Sequence, residues 1–308
     1  IKKGIRHSLL KFNRYSLSKY RAGKKEWSLV DLFNLVHPNA KLATPEQKKA
    51  WKDLMNNELR SEDTWESEVS EKADAKTWEK LILEDKMGYM ALLRNLNNFV
   101  KYDISQKALD KVIESLTNEE HIRKSKQLPF RFYTAFKNVS GNRQLSDAIS
   151  TAMDISVDNA PTFKGKTLIA IDCSGSMSGD PIQKAAIFGA ILMKNNSRAD
   201  VILYDTTVKE FTASTRTPVV DLAEKIVDQA MGGGTETSLV FDYANTKGIK
   251  YNRVIILSDN ESWNEDSVQD VYTEYKKLTG TDPFVYAVDI QGYGTTDLKG
   301  GRIFHLVG

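Results

Sequence analysis

Near residue 165 the apolar pattern of this 308-residue chain changes period, and that change calls for two kinds of architecture in one polypeptide. Before it the spacing is helical. Leu29, Leu32, Phe33 and Val36 stand at i, i+3, i+4 and i+7 behind Ser28, a helix-capping residue, and His37-Pro38 ends the run. Thr44-Pro45-Glu46-Gln47 has the form of a second helix start. Tyr89, Leu92, Leu93, Leu96, Phe99 and Val100 make another stripe, and Leu109, Val112, Ile113 and Leu116 a further one behind Ser105. Pro129 opens a helix with Phe132, Tyr133 and Phe136 facing inward. Successive short helices without strands form an all-α unit, a solenoid of helix pairs of the HEAT kind.

After a linker from Asn159 to Lys166, short apolar runs alternate with amphipathic ones. Strands are predicted at 166–172, 199–204, 208–211, 253–258, 283–289 and 303–307. Helices are predicted at 181–195 with Asp180 as cap, at 219–230, 238–246 and 266–278. That alternation gives a mostly parallel, doubly wound sheet covered on both faces. The expected fold class is therefore α + α/β, with a helical domain at 1–158 and a sheet domain at 165–308.

Ligands of such a sheet bind beyond the carboxyl ends of its strands. Asp172, Ser174 and Ser176 follow the first strand, within Ile171-Asp172-Cys173-Ser174-Gly175-Ser176. Asp259 follows the apolar run Val254–Ser258. Thr235 sits in Gly232-Gly233-Gly234-Thr235, a loop flexible enough to bring a hydroxyl close to an ion. Carboxylates and hydroxyls are hard donors, suited to Mg²⁺ above all, or to Mn²⁺ or Ca²⁺. Two carboxylates and three hydroxyls leave the ion short of ligands, so water, or a carboxylate or phosphate from a partner, completes the shell.

Enzyme readings fail on inventory. No phosphate-binding Gly-x-x-x-x-Gly-Lys-[Ser/Thr] loop is present, and Gly292-Tyr293-Gly294 lacks a third glycine. His7, His37, His121 and His305 have no metal-ligand spacing. Ser174 and Ser176 have no base beside them in sequence. Glu236 and Glu261 are the acids that a metal-dependent nuclease would need. A single cysteine, Cys173, rules out an internal disulfide and suits a reducing compartment, the cytoplasm or the inside of an assembled particle. No apolar run approaches the roughly 20 residues of a membrane span.

The net charge is only +2, but it is unevenly spread. Lys2, Lys3, Arg6, Lys11, Arg14, Lys19, Arg21, Lys24 and Lys25 all precede the first acid, Glu26. Such a block either docks phosphates or forms a solvated helical face or loose arm. Phe12, Tyr15 and Tyr20 are interleaved with it for base stacking, and Arg94, Arg123, Lys124, Lys126 and Arg131 would extend the track.

Residues 165–308 resemble a von Willebrand factor A domain, a Rossmann-like sheet carrying a metal-ion-dependent adhesion site. The matching pieces are Asp172-Cys173-Ser174-Gly175-Ser176, Thr235 and Ser258-Asp259-Asn260-Glu261. With Trp27-Ser28-Leu29-Val30-Asp31-Leu32, Tyr89-Met90-Ala91-Leu92-Leu93-Arg94-Asn95-Leu96 and Leu128-Pro129-Phe130-Arg131-Phe132, the chain resembles the TROVE-domain proteins, the Ro autoantigen and its bacterial and phage relatives. The resemblance implies a non-catalytic ribonucleoprotein component. In that family a ring of helical repeats binds the single-stranded ends of misfolded RNAs and small noncoding RNAs. Residues 1–158 cannot close such a ring alone. Either a second chain completes it, or an upstream segment has been removed (the chain starts at Ile1), or the ring function is lost. The alternative is a structural or assembly protein, whose metal accepts a carboxylate from a protein partner.

Overall fold

The computed structural model describes residues 1–21, 27–59, 65–139, 141–260, 267–293 and 298–307, without the side chains of Lys19 and Arg21. The chain divides into two compact units, Ile1–Gly88 with Tyr102–Ala108, and Tyr89–Lys101 with Leu109–Gly308.

The first unit holds α1 (Lys2–Leu9), α2 (Arg14–Arg21), α3 (Leu29–Val36), α4 (Pro45–Met55), α5 (Trp65–Glu71) and α6 (Ala75–Leu83). Ser28 and Thr44 start α3 and α4 through reciprocal capping with Asp31 and Gln47. His37, at φ 44°, ends α3 just before Pro38. Where described, the basic block forms α1 and α2, with Lys11 in the turn between them. It buries Leu9 and Leu17 in a core with Phe33, Val36, Trp51 and Leu54, and the Phe33 and Trp51 rings meet edge to face at 5.3 Å.

The stripe from Tyr89 to Val100 is two helices, α7 (Tyr89–Arg94) and α8 (Leu96–Lys101). Asn95 makes the break. Its amide donates to Ala91 O at 2.8 Å, and its Oδ1 accepts from Asn98 Nδ2 at 2.9 Å. Such local bonds compete with the helical ladder. Then come α9 (Gln106–Thr117), whose first residues fall in the first unit, α10 (Glu119–Ser125), α11 (Pro129–Asn138) and α12 (Arg143–Ser156).

The rest of the second unit is a six-stranded sheet in the order β3-β2-β1-β4-β5-β6. The strands are β1 (Thr167–Asp172), β2 (Ala199–Tyr204), β3 (Val208–Phe211), β4 (Arg253–Ser258), β5 (Phe284–Asp289) and β6 (Ile303–Val307). All pairings are parallel except β2 with β3. The crossover helices are α13 (Asp180–Asn195), α14 (Val219–Val227), α15 (Leu239–Lys247) and α16 (Val268–Thr279). Leu168, Ala170, Ile202 and Ile256 face Phe241, Tyr272 and Tyr275 of α15 and α16. Ile171 and Leu257 point to the other face, against Gly189 of α13. Asp180 does not cap α13. It is the first helical residue, the cap position belongs to Gly179 at φ 84°, and Asp180 pairs instead with Lys137 and Lys184.

The segment after Asn159 is pinned rather than loose. Asn195 Nδ2 donates to Ala160 O at 2.8 Å, Asn196 Oδ1 accepts from the Phe163 amide at 2.9 Å, and Asn252 Oδ1 from the Lys166 amide at 2.8 Å. Lys194 joins three helices. Its Nζ lies 2.9 Å from Asp154 Oδ1 of α12 and donates to Thr217 O at 2.6 Å, while that Asp154 oxygen accepts from the first amide of α14, Val219, at 3.1 Å.

A methyl group on Gly189 would lie 2.4 Å from Ile171 Cδ1. Helix propensity alone favours Gly189→Ala by about 1 kcal/mol. Overpacking against a fully buried isoleucine costs about 1–3 kcal/mol, so the net change should be a loss of stability. Urea unfolding of G189A, I171V and the double variant checks this: Ile171→Val, which removes Cδ1, should recover part of the loss. Strictly additive costs would show that the two sites do not collide.

Candidate metal centre

Strand β1 lies between β2 and β4, so the strand order reverses there and leaves a crevice beyond the carboxyl ends. Asp172 ends β1 and Asp259 follows β4, and both are fully buried. Ile171 is paired with Leu257, which sets Asp172 beside Ser258. Ser258 Oγ donates to Asp172 Oδ2 at 2.5 Å, and the Ser174 amide to Asp172 Oδ1 at 2.9 Å. Burial holds the Asp172 carboxyl above the usual range. The hydrogen bonds from Ser174 and Ser258 oppose that shift, and the negative charge of Asp259 adds to it.

The hydroxyls are placed around the same spot. Ser174 is buried and Ser176 exposed, with their Oγ atoms 3.2 Å apart. Two cis ligands of an octahedral ion at 2.0–2.1 Å stand about 3.0 Å apart, so the pair has the spacing of one edge of a magnesium shell. Thr235 is buried in the glycine loop. That loop is tied to the serine loop by Gly175 N–H to Gly233 O at 2.8 Å and Gly232 N–H to Cys173 O at 2.9 Å. The structure thus gathers Asp172, Ser174, Ser176 and Asp259 at one end of the sheet and holds the loop of Thr235 against them. Among the described residues no three His, Cys, Asp or Glu side chains form a metal-binding group. The donors are two carboxylates and hydroxyls, a hard set that fits Mg²⁺ and suits Zn²⁺ or Cu²⁺ poorly. Glu261 lies outside the described residues.

Three residues outside the expected set support this end of the sheet. Asp205, buried after β2, accepts from the Gly233 amide at 2.9 Å and the Thr207 amide at 2.8 Å. Asp289, which ends β5, accepts from the amides of Gln291 at 3.0 Å and Gly292 at 2.6 Å. Gln291 Nε2 donates to Asp259 Oδ2 at 3.3 Å and Ser176 O at 3.2 Å. A signal for the acids exists in the sequence: apolar runs stop at Asp172, Asp205, Asp259 and Asp289 alike.

The basic residues fare differently. Lys2, Lys3 and Lys11 are exposed. Arg6 Nε donates to Val36 O at 2.8 Å, at the electronegative end of α3. Arg14 pairs with Asp53. Lys19 and Arg21 lie on α2 with undescribed side chains, and Lys24 and Lys25 fall outside the described residues. Arg123 pairs with Asp158 and Lys124 with Glu120. The Phe12 and Tyr20 rings are 5.9 Å apart, and Tyr15 Oη donates to Glu66 Oε1 at 3.3 Å.

Asp205→Ala would strand two amides, those of Gly233 and Thr207. The expected cost is about 1–3 kcal/mol in chemical denaturation, with Asp205→Asn losing less. An unchanged midpoint for the alanine variant would mean that the glycine loop is not held there.

Residues 55–154 match the TROVE domain and residues 166–292 the Ro60 vWA domain. RNA-binding protein RO60 of Caenorhabditis elegans is 25% identical over 238 residues, 70% of this chain and 37% of that protein. Telomerase protein component 1 of Mus musculus is 39% identical over 82 residues, 26% of this chain and 3% of that protein. The chain therefore spans little more than a third of the former and a small part of the latter. The crystal structure of the Deinococcus radiodurans RO (RSR) protein superposes over 100% of this chain and 73% of that one, with a TM-score of 0.76 at 17% identity. A helical segment with the TROVE signature, joined to a Rossmann-like sheet with the Ro60 signature, makes the chain a TROVE-domain, Ro-like protein with a C-terminal von Willebrand factor A domain.

Proposed function

We propose that the chain is a non-catalytic RNA-binding protein, and that Asp172, Ser174, Ser176, Thr235 and Asp259 hold a divalent cation, Mg²⁺ first. The match to an RNA-binding protein over 70% of the chain carries the RNA reading. The exposed ammonium groups of Lys2, Lys3 and Lys11, on and just after α1, support it. For the cation, the support is the buried Asp172–Asp259 pair with two hydroxyls spaced for one ion. When bound, the cation supplies positive charge and an open position for a phosphate or carboxylate oxygen. A small noncoding or misfolded RNA is the partner class, in the cytoplasm. No helix of the described residues is long and apolar enough to cross a membrane.

RNA retention on filters across a salt series tests the first part. For single strands, log K should fall with log salt by about 0.7 for each phosphate neutralised. Replacing Lys2, Lys3 and Lys11 with glutamine should flatten the slope by about two. A salt-independent curve would remove the RNA reading. Chelator-sensitive association with a protein, with RNA affinity nil, would point to an assembly role instead.

The cation should raise the unfolding temperature at neutral pH, by about 1.4 kcal/mol of stability at ten times its dissociation constant. The effect depends on pH with a definite sign. Asp172 has a folded pKa raised above its unfolded value of about 3.9. Its ionised form therefore weighs against folding increasingly as pH rises through the window above that value, and this ionised form is the one a cation relieves. Thermal scans with and without Mg²⁺ should show an increment that grows with pH and is absent in Asp172→Asn. An increment of equal size in D172N would place the ion elsewhere.

A further inference from the structure

The turn after β5 fixes one side chain against two candidate ligands. The Ile290 amide donates to Ser258 O at 2.9 Å, which carries the β4–β5 ladder one step beyond the paired strands. Asp289 Oδ1 then accepts from the amides of Gln291, at 3.0 Å, and Gly292, at 2.6 Å, where the backbone turns at φ 82°. Such an Asx-type turn holds the chain by its own side chain. It sets Gln291 beside Asp259, the residue that follows β4.

The Gln291 side chain is held at both ends. Its Nε2 donates to Asp259 Oδ2 at 3.3 Å and to Ser176 O at 3.2 Å, and its Oε1 accepts from Tyr293 Oη at 2.9 Å. A main-chain carbonyl can only accept, so the nitrogen and not the oxygen must face Ser176. Both amide hydrogens are thereby used.

Asp259 and Ser176 arrive on different loops, one after β4 and the other after β1. A single NH₂ group spans them and sets their separation. The bond at Oδ2 also fixes the rotation of the buried Asp259 carboxylate about its Cβ–Cγ bond. At Ser176 the bond falls on the main-chain oxygen, and the side-chain Oγ lies 3.2 Å from that of Ser174. The amide is also uncharged. A lysine or arginine could donate to the same two oxygens, but its charge would repel a cation held by Asp259.

We propose that Gln291 is a positioning residue of the cation site: its side-chain amide ties Asp259 to the Ser176 backbone and presets the gap that the ion fills. The proposal rests on the cation reading above and not on the RNA reading. Loss of such an outer partner of a ligand typically weakens metal binding by about 10- to 100-fold.

The test compares Gln291→Met, which keeps the length of the side chain and removes both donors, with Gln183→Met, a glutamine of α13 bonded to Tyr133 instead. Each is measured by calorimetric Mg²⁺ titration and by thermal unfolding in chelator. Q291M should bind Mg²⁺ at least about tenfold more weakly, and Q183M as the parent does. A mere clip between two turns would behave otherwise: Q291M would unfold lower in chelator yet bind Mg²⁺ with parental affinity, which overturns the proposal. An equal loss of affinity in Q183M would overturn it as well, since the effect would not belong to this position. Should Q291M fail to fold, Gln291→Asn keeps a polar turn residue but falls one methylene short of Asp259 and Ser176, and it must weaken Mg²⁺ binding likewise; parental affinity in Q291N overturns the proposal too. A parent that binds no Mg²⁺ overturns both this proposal and the cation reading, whereas a parent that binds it, matched by Q291M, overturns this one alone.

Discussion

Neighbouring parallel strands finish side by side, so the residues that end them must share whatever space lies beyond. Here four strands run into aspartates, at 172, 205, 259 and 289, and all four side chains are buried. Like charges in a low-dielectric pocket repel strongly, and each must be offset or neutralised. The outer two are offset by backbone amides: Asp205 holds the glycine loop and Asp289 the turn after β5. At the centre, Asp172 receives the Ser174 amide and the Ser258 hydroxyl, and the Gln291 side-chain amide reaches Asp259.

The two periods of the sequence and the two compact units are different divisions of the chain. Periodicity records which secondary structure a segment forms, and it changes near residue 165. Compactness records which segments pack together, and it places α10, α11 and α12 with the sheet. Asparagine side chains account for part of this. Asn195, Asn196 and Asn252 reach out to the backbone between residues 160 and 166, so a stretch with linker composition lies against the domain it introduces.

Strands were legible because their ends are sharp: apolar runs bounded by a charge or a turn. Helix starts marked by Ser28 and Thr44 were equally plain. The break at Asn95 was not, because its cause is a side-chain bond that competes with an otherwise continuous stripe. The cap of α13 was misplaced for a related reason. Asp180 has the right chemistry, but the backbone there needs the positive φ of Gly179, which frees the carboxylate for Lys137 and Lys184. In the site, ligand candidates could be read from strand ends. Asp205 follows the same rule and could have been found. Gln291 could not, since its approach to Asp259 depends on the turn that Asp289 builds. Charge in the N-terminal block was visible, but its commitment was not: Arg6 and Arg14 are engaged by Val36 and Asp53, contacts distant in sequence.

The Lys194 junction bears on how this unit opens. Only 12% of the lysine side chain and 27% of the Asp154 side chain see solvent, and three helices meet at one carboxylate oxygen. Separating α12 from α13 would leave an ammonium largely without water and the first amide of α14 without an acceptor. Amide hydrogens in these three helices should thus exchange with solvent through one shared, sub-global opening rather than by independent fraying. The last helix before the sheet then belongs, energetically, to the sheet's own cooperative block.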